Sequence, residues 1–129
     1  MKNLEIIERE GLCENAAKMG ARLHAGLIAA LGAHPHVGDI RGGKGLLAAI
    51  EFVEDRTTKK NFSADRKVTS RLNAELLKRG VVTRTRPAGG VHPASGDILM
   101  LAPPLVVTEG EVSRLVEVCR DGVRAVLGA

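Results

Sequence analysis

Residues Gly80–Glu111, GVVTRTRPAGGVHPASGDILMLAPPLVVTEGE, decide how this chain folds. The segment predicts a short strand, a loop and a second strand, after which Pro103-Pro104 leads into a capped helix. Two arginines, Arg84 and Arg86, fall inside the first strand. We expect the preceding helices and strands to pack against this unit and the last helix to close it.

The first strand, Val81–Arg86, carries both arginines on one face. Successive side chains of a strand point to opposite faces, so Val82, Arg84 and Arg86 lie together. Arginines at such positions either face solvent or line a binding site, and the residues alone leave both open. The following loop, Pro87–Gly96, has two prolines and three glycines, which predicts a flexible arm. Such an arm either covers a site or is a plain surface loop.

The second strand, Asp97–Ala102, has the apolar run of a buried strand, and the double proline ends it because proline cannot donate to a ladder. Thr108 and Glu111 have the spacing of a capping box, in which each side chain accepts a hydrogen bond from the other residue's backbone N–H. The last helix then has an inward stripe at helical spacing: Val112, Leu115, Cys119, Val123 and Val126.

Three further helices are predicted upstream. Asn3–Glu10 predicts a helix that Gly11 ends in a left-handed conformation. Leu12–Leu31 predicts a second helix, because apolar residues recur every three or four positions. Ser63 is predicted to cap a third helix that runs to Arg79, where Gly80 stops it. The buried stripe of that third helix is expected to be Ala64, Val68, Leu72 and Leu76.

Val37–Arg41 and Leu46–Glu54 predict two strands joined by Gly42-Gly43-Lys44-Gly45. A glycine-rich turn beside a lysine suggests a phosphate loop, but the G-x-x-x-x-G-K-[ST] spacing is absent and a strand follows instead of a helix. We therefore predict a hairpin turn. The element order α-α-β-β-α-β-β-α predicts an α+β fold, a two-layer sandwich of helices on a small, mainly antiparallel sheet.

His34-Pro35-His36 is the one motif with metal-ligand character. Two imidazoles on one face of an extended segment sometimes bind a metal, but a site needs further ligands and only Asp39 is near. We predict a loop.

Composition narrows the protein class. A chain of 129 residues with 44% hydrophobic and 26% charged residues is typical of one globular domain. Two phenylalanines are the only large aromatics, and a net charge of +4 is spread along the chain, so a nucleic-acid partner is disfavoured. No apolar run suits a membrane helix and the acidic start MKNLEIIERE does not suit a signal peptide, so we expect a cytoplasmic protein without a membrane partner. Cys13 and Cys119 are expected to be buried, reduced thiols.

The residues alone do not predict a reaction. A nucleophile needs a base within hydrogen-bond reach, and no serine has that context. No lysine lies in an apolar segment that would lower its pKa for Schiff-base chemistry.

Three segments resemble the C-terminal small domain of class III aminotransferases, pyridoxal-phosphate enzymes of fold type I: IEREGLCENAAKMGARLHAGL, VGDIRGGKGLLAAIEFVEDR and GDILMLAPPLVVTEGEV. The resemblance covers nearly all of residues 1–129, and the three segments together, in this order and spacing, make it specific. Two departures exist: the turn Gly42–Gly45 is one residue longer than the common R-G-x-G-L turn, and the arm Pro87–Gly96 is longer than in many members.

The resemblance implies transfer of an amino group between an amine or amino acid and a 2-oxo acid. In that family an arginine often holds the substrate carboxylate. It comes from the strand before the G-D pair, which is Gly96-Asp97 in this sequence. By position this residue is Arg84, with Arg86 as the second candidate. The Schiff-base lysine, the acid that pairs with the pyridinium nitrogen and the phosphate loop lie in a large domain before the small one. The resemblance therefore implies no catalytic residue, no cofactor-binding residue and no metal in this chain.

The same resemblance implies a chain that is inactive alone, with the large domain or a second subunit as its partner. It also predicts an exposed apolar face for docking and a homo-oligomer. The alternative is a stand-alone anion- or carboxylate-binding or regulatory module that uses Arg84 and Arg86.

Overall fold

The secondary-structure elements follow one another in the predicted order. The computed structural model describes residues 2–89 and 95–128. The helices of this part are α1 Lys2–Arg9, α2 Leu12–Leu31, a 3₁₀ turn Ala64–Arg66, α3 Val68–Lys78 and α4 Glu109–Leu127. The strands are β1 Val37–Arg41, β2 Ala48–Phe52, β3 Arg84–Arg86 and β4 Asp97–Leu101.

The sheet has the order β1-β2-β4-β3, and each neighbouring pair is antiparallel. β2 and β4 are therefore central, and β1 and β3 form the two edges. The glycine-rich turn joins β1 to its antiparallel neighbour β2, as predicted. The α+β fold, with helices on a small antiparallel sheet, is confirmed.

The core lies between the helices and one face of the sheet. Leu23 and Leu27 of α2 and Ile50 and Leu99 of the central strands are fully buried. α2 and α3 pack on the sheet, and α4 packs against both of these helices. Burial of a large aliphatic side chain contributes about 1.5–3 kcal/mol, so this shared interface holds the two layers together. The opposite face of the sheet is left without a helical cover among the described residues.

The predicted capping box is present at the start of α4. The Thr108 hydroxyl accepts from the Glu111 N–H at 3.3 Å, and the Glu111 carboxylate accepts from the Thr108 N–H at 2.8 Å. The glycine predictions also hold at two helix ends, since Gly11 has φ 59° and Gly80 has φ 81°.

The prediction of one continuous helix from Ser63 to Arg79 is wrong. The chain makes only a 3₁₀ turn after Ser63, whose side chain forms no capping bond. Lys67 then adopts a left-handed conformation, φ 47° and ψ 40°, and α3 begins at Val68. This break turns the chain so that both Phe62 and Val68 enter the core, while Ala64 stays exposed.

The cysteine prediction is half wrong. Cys119 is buried, but Cys13 is exposed. Leu12 occupies the inward stripe of α2, and its neighbour Cys13 lies about 100° around the helix from it. No helix among residues 2–89 and 95–128 is long and apolar enough to cross a membrane.

Candidate functional site

The open face of the sheet brings together charged residues from three strands, β1, β2 and β3. Strand pairing aligns Arg41, Ala49, Met100 and Arg84 in one row across the sheet. The adjacent row consists of Asp39, Glu51, Ile98 and Arg86. Since residues two apart on a strand share a face, both predicted arginines lie on this open face.

A cleft of about 740 Å³ lies over the first of these rows. This volume is in the range of small-molecule binding sites. We call it the sheet cleft, and its lining residues are Arg41, Gly42, Leu47, Ala48, Ala49, Val82, Thr83, Arg84, Met100, Leu101 and Ala102. Its floor is apolar and its charged groups, Arg41 and Arg84, come from the two edge strands.

The two arginines predicted from the sequence differ in position. Arg84 is exposed and lines the sheet cleft, whereas Arg86 is half-buried one row away and does not line it. Within residues 2–89 and 95–128, neither guanidinium forms an ion pair with a carboxylate. Arg84 is therefore the one of the pair that can meet an anion in the cleft.

Arg41 is a charged residue of the cleft that sequence reasoning did not single out. Its Nη2 lies 3.2 Å from a Glu51 carboxylate oxygen, and its Nε lies 3.7 Å from an Asp39 oxygen. These carboxylates lie in the adjacent row and hold the Arg41 side chain from one side. Alternation along β1 assigns Arg41 to the face opposite Ile40, but only the register across β1, β2, β4 and β3 shows that it shares a row with Arg84.

Two large apolar side chains at the mouth of the cleft are unusually exposed. Leu47 is 76% exposed and Val82 is 85% exposed. Both line the cleft beside the half-buried Met100. Large exposed apolar side chains that line one cleft are typical of surfaces that bind another molecule. The resemblance predicts an exposed apolar face, and its role in docking stays a prediction.

Asp97, the aspartate of the Gly96-Asp97 pair, lies on the buried face of the sheet, opposite the cleft. Asp97 is only 5% exposed and accepts a hydrogen bond from the Ala88 N–H at 3.4 Å. Burial raises the pKa of its carboxyl group, and interactions with the Ala88 N–H and with Thr69 oppose this rise. Asp97 thus links β4 to the first turn of α3 and does not face the cleft.

The imidazole rings of His34 and His36 form hydrogen bonds with backbone carbonyl groups. His34 Nδ1 accepts from the His36 N–H at 3.1 Å, so its Nε2 carries the proton and donates to the Gly128 carbonyl at 2.8 Å. His36 Nδ1 lies 3.1 Å from the Glu54 carbonyl oxygen. The part of the chain that the structure describes contains no group of three potential metal ligands. The flexible arm predicted at Pro87–Gly96 includes residues 90–94, which lie outside the described residues.

Comparison with known proteins identifies the family. The sequence profile of the class-III aminotransferases matches residues 1–122. Diaminobutyrate–2-oxoglutarate transaminase of Halomonas elongata is 40% identical over 129 residues, which are 100% of this chain and 26% of that protein. Taurine–pyruvate aminotransferase of Bilophila wadsworthia is 37% identical, with 90% of this chain and 24% of that protein covered.

Solved structures agree with this relationship. A transaminase from the marine bacterium Virgibacillus superimposes with a TM-score of 0.87 at 35% identity, covering 97% of this chain and 27% of that one. The chain spans about a quarter of the length of these relatives. On the evidence of its sequence profile and its fold, the chain belongs to the class-III aminotransferase family.

Proposed function

We propose that this chain is the C-terminal small domain of an aminotransferase that moves an amino group between an amine or amino acid and a 2-oxo acid. The observation that carries the proposal is the position of Arg84, on the rim of the sheet cleft and without an ion-pair partner among the described residues. In a chain of this family, such a guanidinium suits the carboxylate that all 2-oxo acids carry.

Arg84 would bind that carboxylate directly. A guanidinium is planar and offers two parallel N–H groups, which match the two oxygens of a carboxylate. The apolar floor beside it, Ala49 and Met100, would lower the local dielectric and strengthen this interaction. Arg86 remains the second candidate because it lies on the same face, one row away.

Class-III aminotransferases use pyridoxal phosphate, and the side chains of residues 2–89 and 95–128 do not fit a site for it. The lysines of this chain are all exposed, and none lines the sheet cleft. A Schiff-base lysine is activated by desolvation or by a neighbouring cation, and an exposed lysine lacks the first of these. We therefore propose that the cofactor is held by the rest of the enzyme and assign no step of its chemistry to this chain.

The apolar mouth of the cleft would dock that partner. Leu47 and Val82 expose most of their surface, and their burial against a large domain or second subunit would contribute about 1.5–3 kcal/mol each. Docking would also enclose Arg84 in a closed pocket. The complete enzyme would then assemble as a homo-oligomer with this face covered.

A chimera tests the proposal. The segment of the Halomonas elongata transaminase that matches this chain would be replaced by residues 1–129, and transfer of an amino group to 2-oxo acids would be measured. We expect an active chimera and an inactive isolated chain. The parent transaminase is the positive control, and its form without the matching segment is the negative control. A soluble chimera that binds the cofactor but transfers no amino group would contradict the proposal.

Cofactor labelling of the isolated chain provides an independent measurement. The chain would be incubated with pyridoxal phosphate, reduced with borohydride and analysed by intact mass and peptide mapping. We expect scattered or no labelling because the lysines are exposed. A stoichiometric adduct on one lysine would show that the chain has its own cofactor site. It would overturn the proposal that the rest of the enzyme holds the cofactor.

The alternative, a stand-alone anion-binding or regulatory module, makes a different prediction about affinity. Such a module would bind its carboxylate ligand tightly on its own, whereas half of a pocket should bind the same ligand at least about 100-fold more weakly, a difference of about 2.8 kcal/mol. The open cleft and its exposed apolar mouth favour the hypothesis that this chain supplies only half of a binding pocket.

A further inference from the structure

We propose that Asp97 and Asn73 are positioning residues that attach the two ends of β3 to α3 and thereby fix the place of Arg84 on the rim of the sheet cleft. Neither of the two side chains lines the cleft. The inference rests on the proposed function only in taking Arg84 as the residue that binds the carboxylate. It adds the residues that hold this guanidinium in place from outside the site.

β3 has little backbone support of its own. It comprises three residues, Arg84–Arg86, and its partner strand is β4. Among the described residues no strand covers its other edge. Pro87 follows directly, and because proline has no N–H, this position cannot donate a further hydrogen bond to the ladder. The position of Arg84 therefore depends on contacts made by side chains around the strand.

The end of β3 is attached through Asp97. The register that pairs Arg86 with Ile98 brings Asp97 beside the residues that follow the strand. The Ala88 N–H donates to the Asp97 carboxylate at 3.4 Å, one residue beyond the proline. The same carboxylate accepts hydrogen bonds from the hydroxyl and the N–H of Thr69, in the first turn of α3. One buried side chain thus joins the end of β3 to the start of α3.

The start of β3 is attached through Asn73. The hydroxyl of Thr83, the residue before Arg84, donates to the Asn73 side-chain oxygen at 3.2 Å. Thr83 and Asn73 are both half-buried, so this hydrogen bond is stronger than one in open solvent. Asn73 follows Thr69 by four positions, so both attachments lie on one face of α3. Arg84 is therefore held between two side-chain contacts with the same helix.

The charge of Asp97 suits this local role better than a role in overall stability. Burial raises the pKa of its carboxyl group, so the ionised form is disfavoured in the folded chain. The groups of Ala88 and Thr69 that face it are all donors, and they favour the ionised form. A carboxylate accepts through both oxygens, whereas an asparagine amide has an NH2 donor in place of one of them. Asparagine at position 97 would therefore lose part of the attachment.

Amide hydrogen exchange of the isolated chain, followed by NMR at neutral pH, tests the inference without cofactor or substrate. Asn73→Ala removes one attachment, and the β3 amides should exchange about three- to tenfold faster, as expected for the loss of one hydrogen bond. Asn73→Asp keeps an acceptor oxygen and should retain the original rate. The amides of the central strand β2 report global unfolding and provide the reference.

Asn15→Ala is the matched control. Asn15 is also a half-buried helix residue, and its side chain donates to the carbonyl groups of Leu105 and Val107, far from β3 in the sequence. Its replacement likewise removes hydrogen bonds to another segment. It should leave the exchange of the β3 amides unchanged.

Asp97→Asn separates attachment from overall stability. The β3 amides should again exchange about three- to tenfold faster, although the free energy of unfolding of the whole chain does not fall. A residue with a purely structural role would change both quantities together.

A double-mutant cycle in an active chimera tests whether Asn73 acts through Arg84. Asn73→Ala should raise KM for the 2-oxo acid about three- to tenfold and leave kcat nearly unchanged. In the Arg84→Ala background this effect should disappear, because no guanidinium is left to be positioned. Additive effects would show that Asn73 does not act through Arg84 and would overturn its positioning role.

Unchanged β3 exchange in Asn73→Ala or in Asp97→Asn would overturn the role of that residue. Equal acceleration by Asn15→Ala would overturn the inference as a whole. An inactive chimera with faster β3 exchange in the variants would reject the proposed function and keep the attachment of β3 to α3. An active chimera with unchanged exchange would do the reverse.

Discussion

Gly20 of α2 lies directly against the backbone of Gly45 in the turn between β1 and β2. A Cβ at position 20 would overlap the Gly45 carbonyl group, and this is backbone that cannot rotate away as a side chain can. Gly45 itself has φ 124°, a conformation that other residues rarely adopt. The close contact fixes the turn that follows Arg41 onto the second helix.

Gly20→Ala should therefore destabilise the fold. Overpacking of this kind costs about 1–3 kcal/mol, which urea unfolding followed by circular dichroism would measure. Gly110→Ala is the matched control, because Gly110 lies in α4 with open space around it. Alanine there should be neutral or stabilise by up to about 1 kcal/mol. Equal destabilisation by both substitutions would contradict the contact.

Arg84→Ala in an active chimera should lower kcat/KM for the 2-oxo acid by about 10- to 100-fold, because a hydrogen-bonded charge contact contributes about 1.5–3 kcal/mol. Arg84→Lys should recover part of this loss, since lysine keeps the charge but not the planar fork. Arg86→Ala tests the second candidate and should have a smaller effect. Normal kinetics in Arg84→Ala would remove Arg84 from the site.

The two thiols should differ strongly in reactivity. Cys13 is exposed, whereas burial raises the pKa of the Cys119 thiol to about 12. Because the thiolate is the reactive form, Ellman's reagent at pH 8 should modify one cysteine quickly in the native protein and the second only on unfolding. Cys13→Ser should abolish the fast phase. Two fast thiols in the native chain would show that α4 is not packed as described.

Asp97→Asn should change how stability depends on pH. The folded state raises the pKa of Asp97, so it binds the proton more tightly than the unfolded chain, where the pKa is about 3.9. The contribution of Asp97 to the free energy of unfolding is therefore fully present below about pH 3.9, and it is lost as pH rises from there through the folded pKa. The variant should be the more stable protein at neutral pH, with an advantage that shrinks on acidification.

Urea unfolding of both proteins between pH 3.5 and 7 would measure this difference. Other carboxylates titrate in the same range, but they are common to both proteins and cancel in the comparison. A difference in stability that stays constant across the range would show that the Asp97 charge does not matter to folding.

Local patterns in the sequence predicted the helices best. The apolar residues that recur every three or four positions from Leu12 to Leu31 predicted α2, and Thr108 with Glu111 predicted the start of α4. These features depend on side chains within one or two turns of each other. The left-handed Lys67 was missed because the packing of Phe62 and Val68 decides it, and propensities along the chain do not contain that information.

The candidate site was only half predictable for the same reason. The family resemblance selected Arg84, and strand alternation placed Arg86 on the same face. Arg41 lies 43 positions before Arg84 in the sequence, and the two are aligned only through three pairings, β1 with β2, β2 with β4 and β4 with β3. Contacts of this kind arise from the register of distant strands.

β3 is an edge strand of three residues, and β4 is its one partner strand within the described part of the chain. Short edge strands open locally more easily than central ones, so Arg84 lies on a part of the sheet with low local stability. A ligand that binds Arg84 only when β3 is paired must also stabilise that pairing. Protection of the β3 amides from hydrogen exchange would then report site occupancy, and the strand would order as the substrate binds.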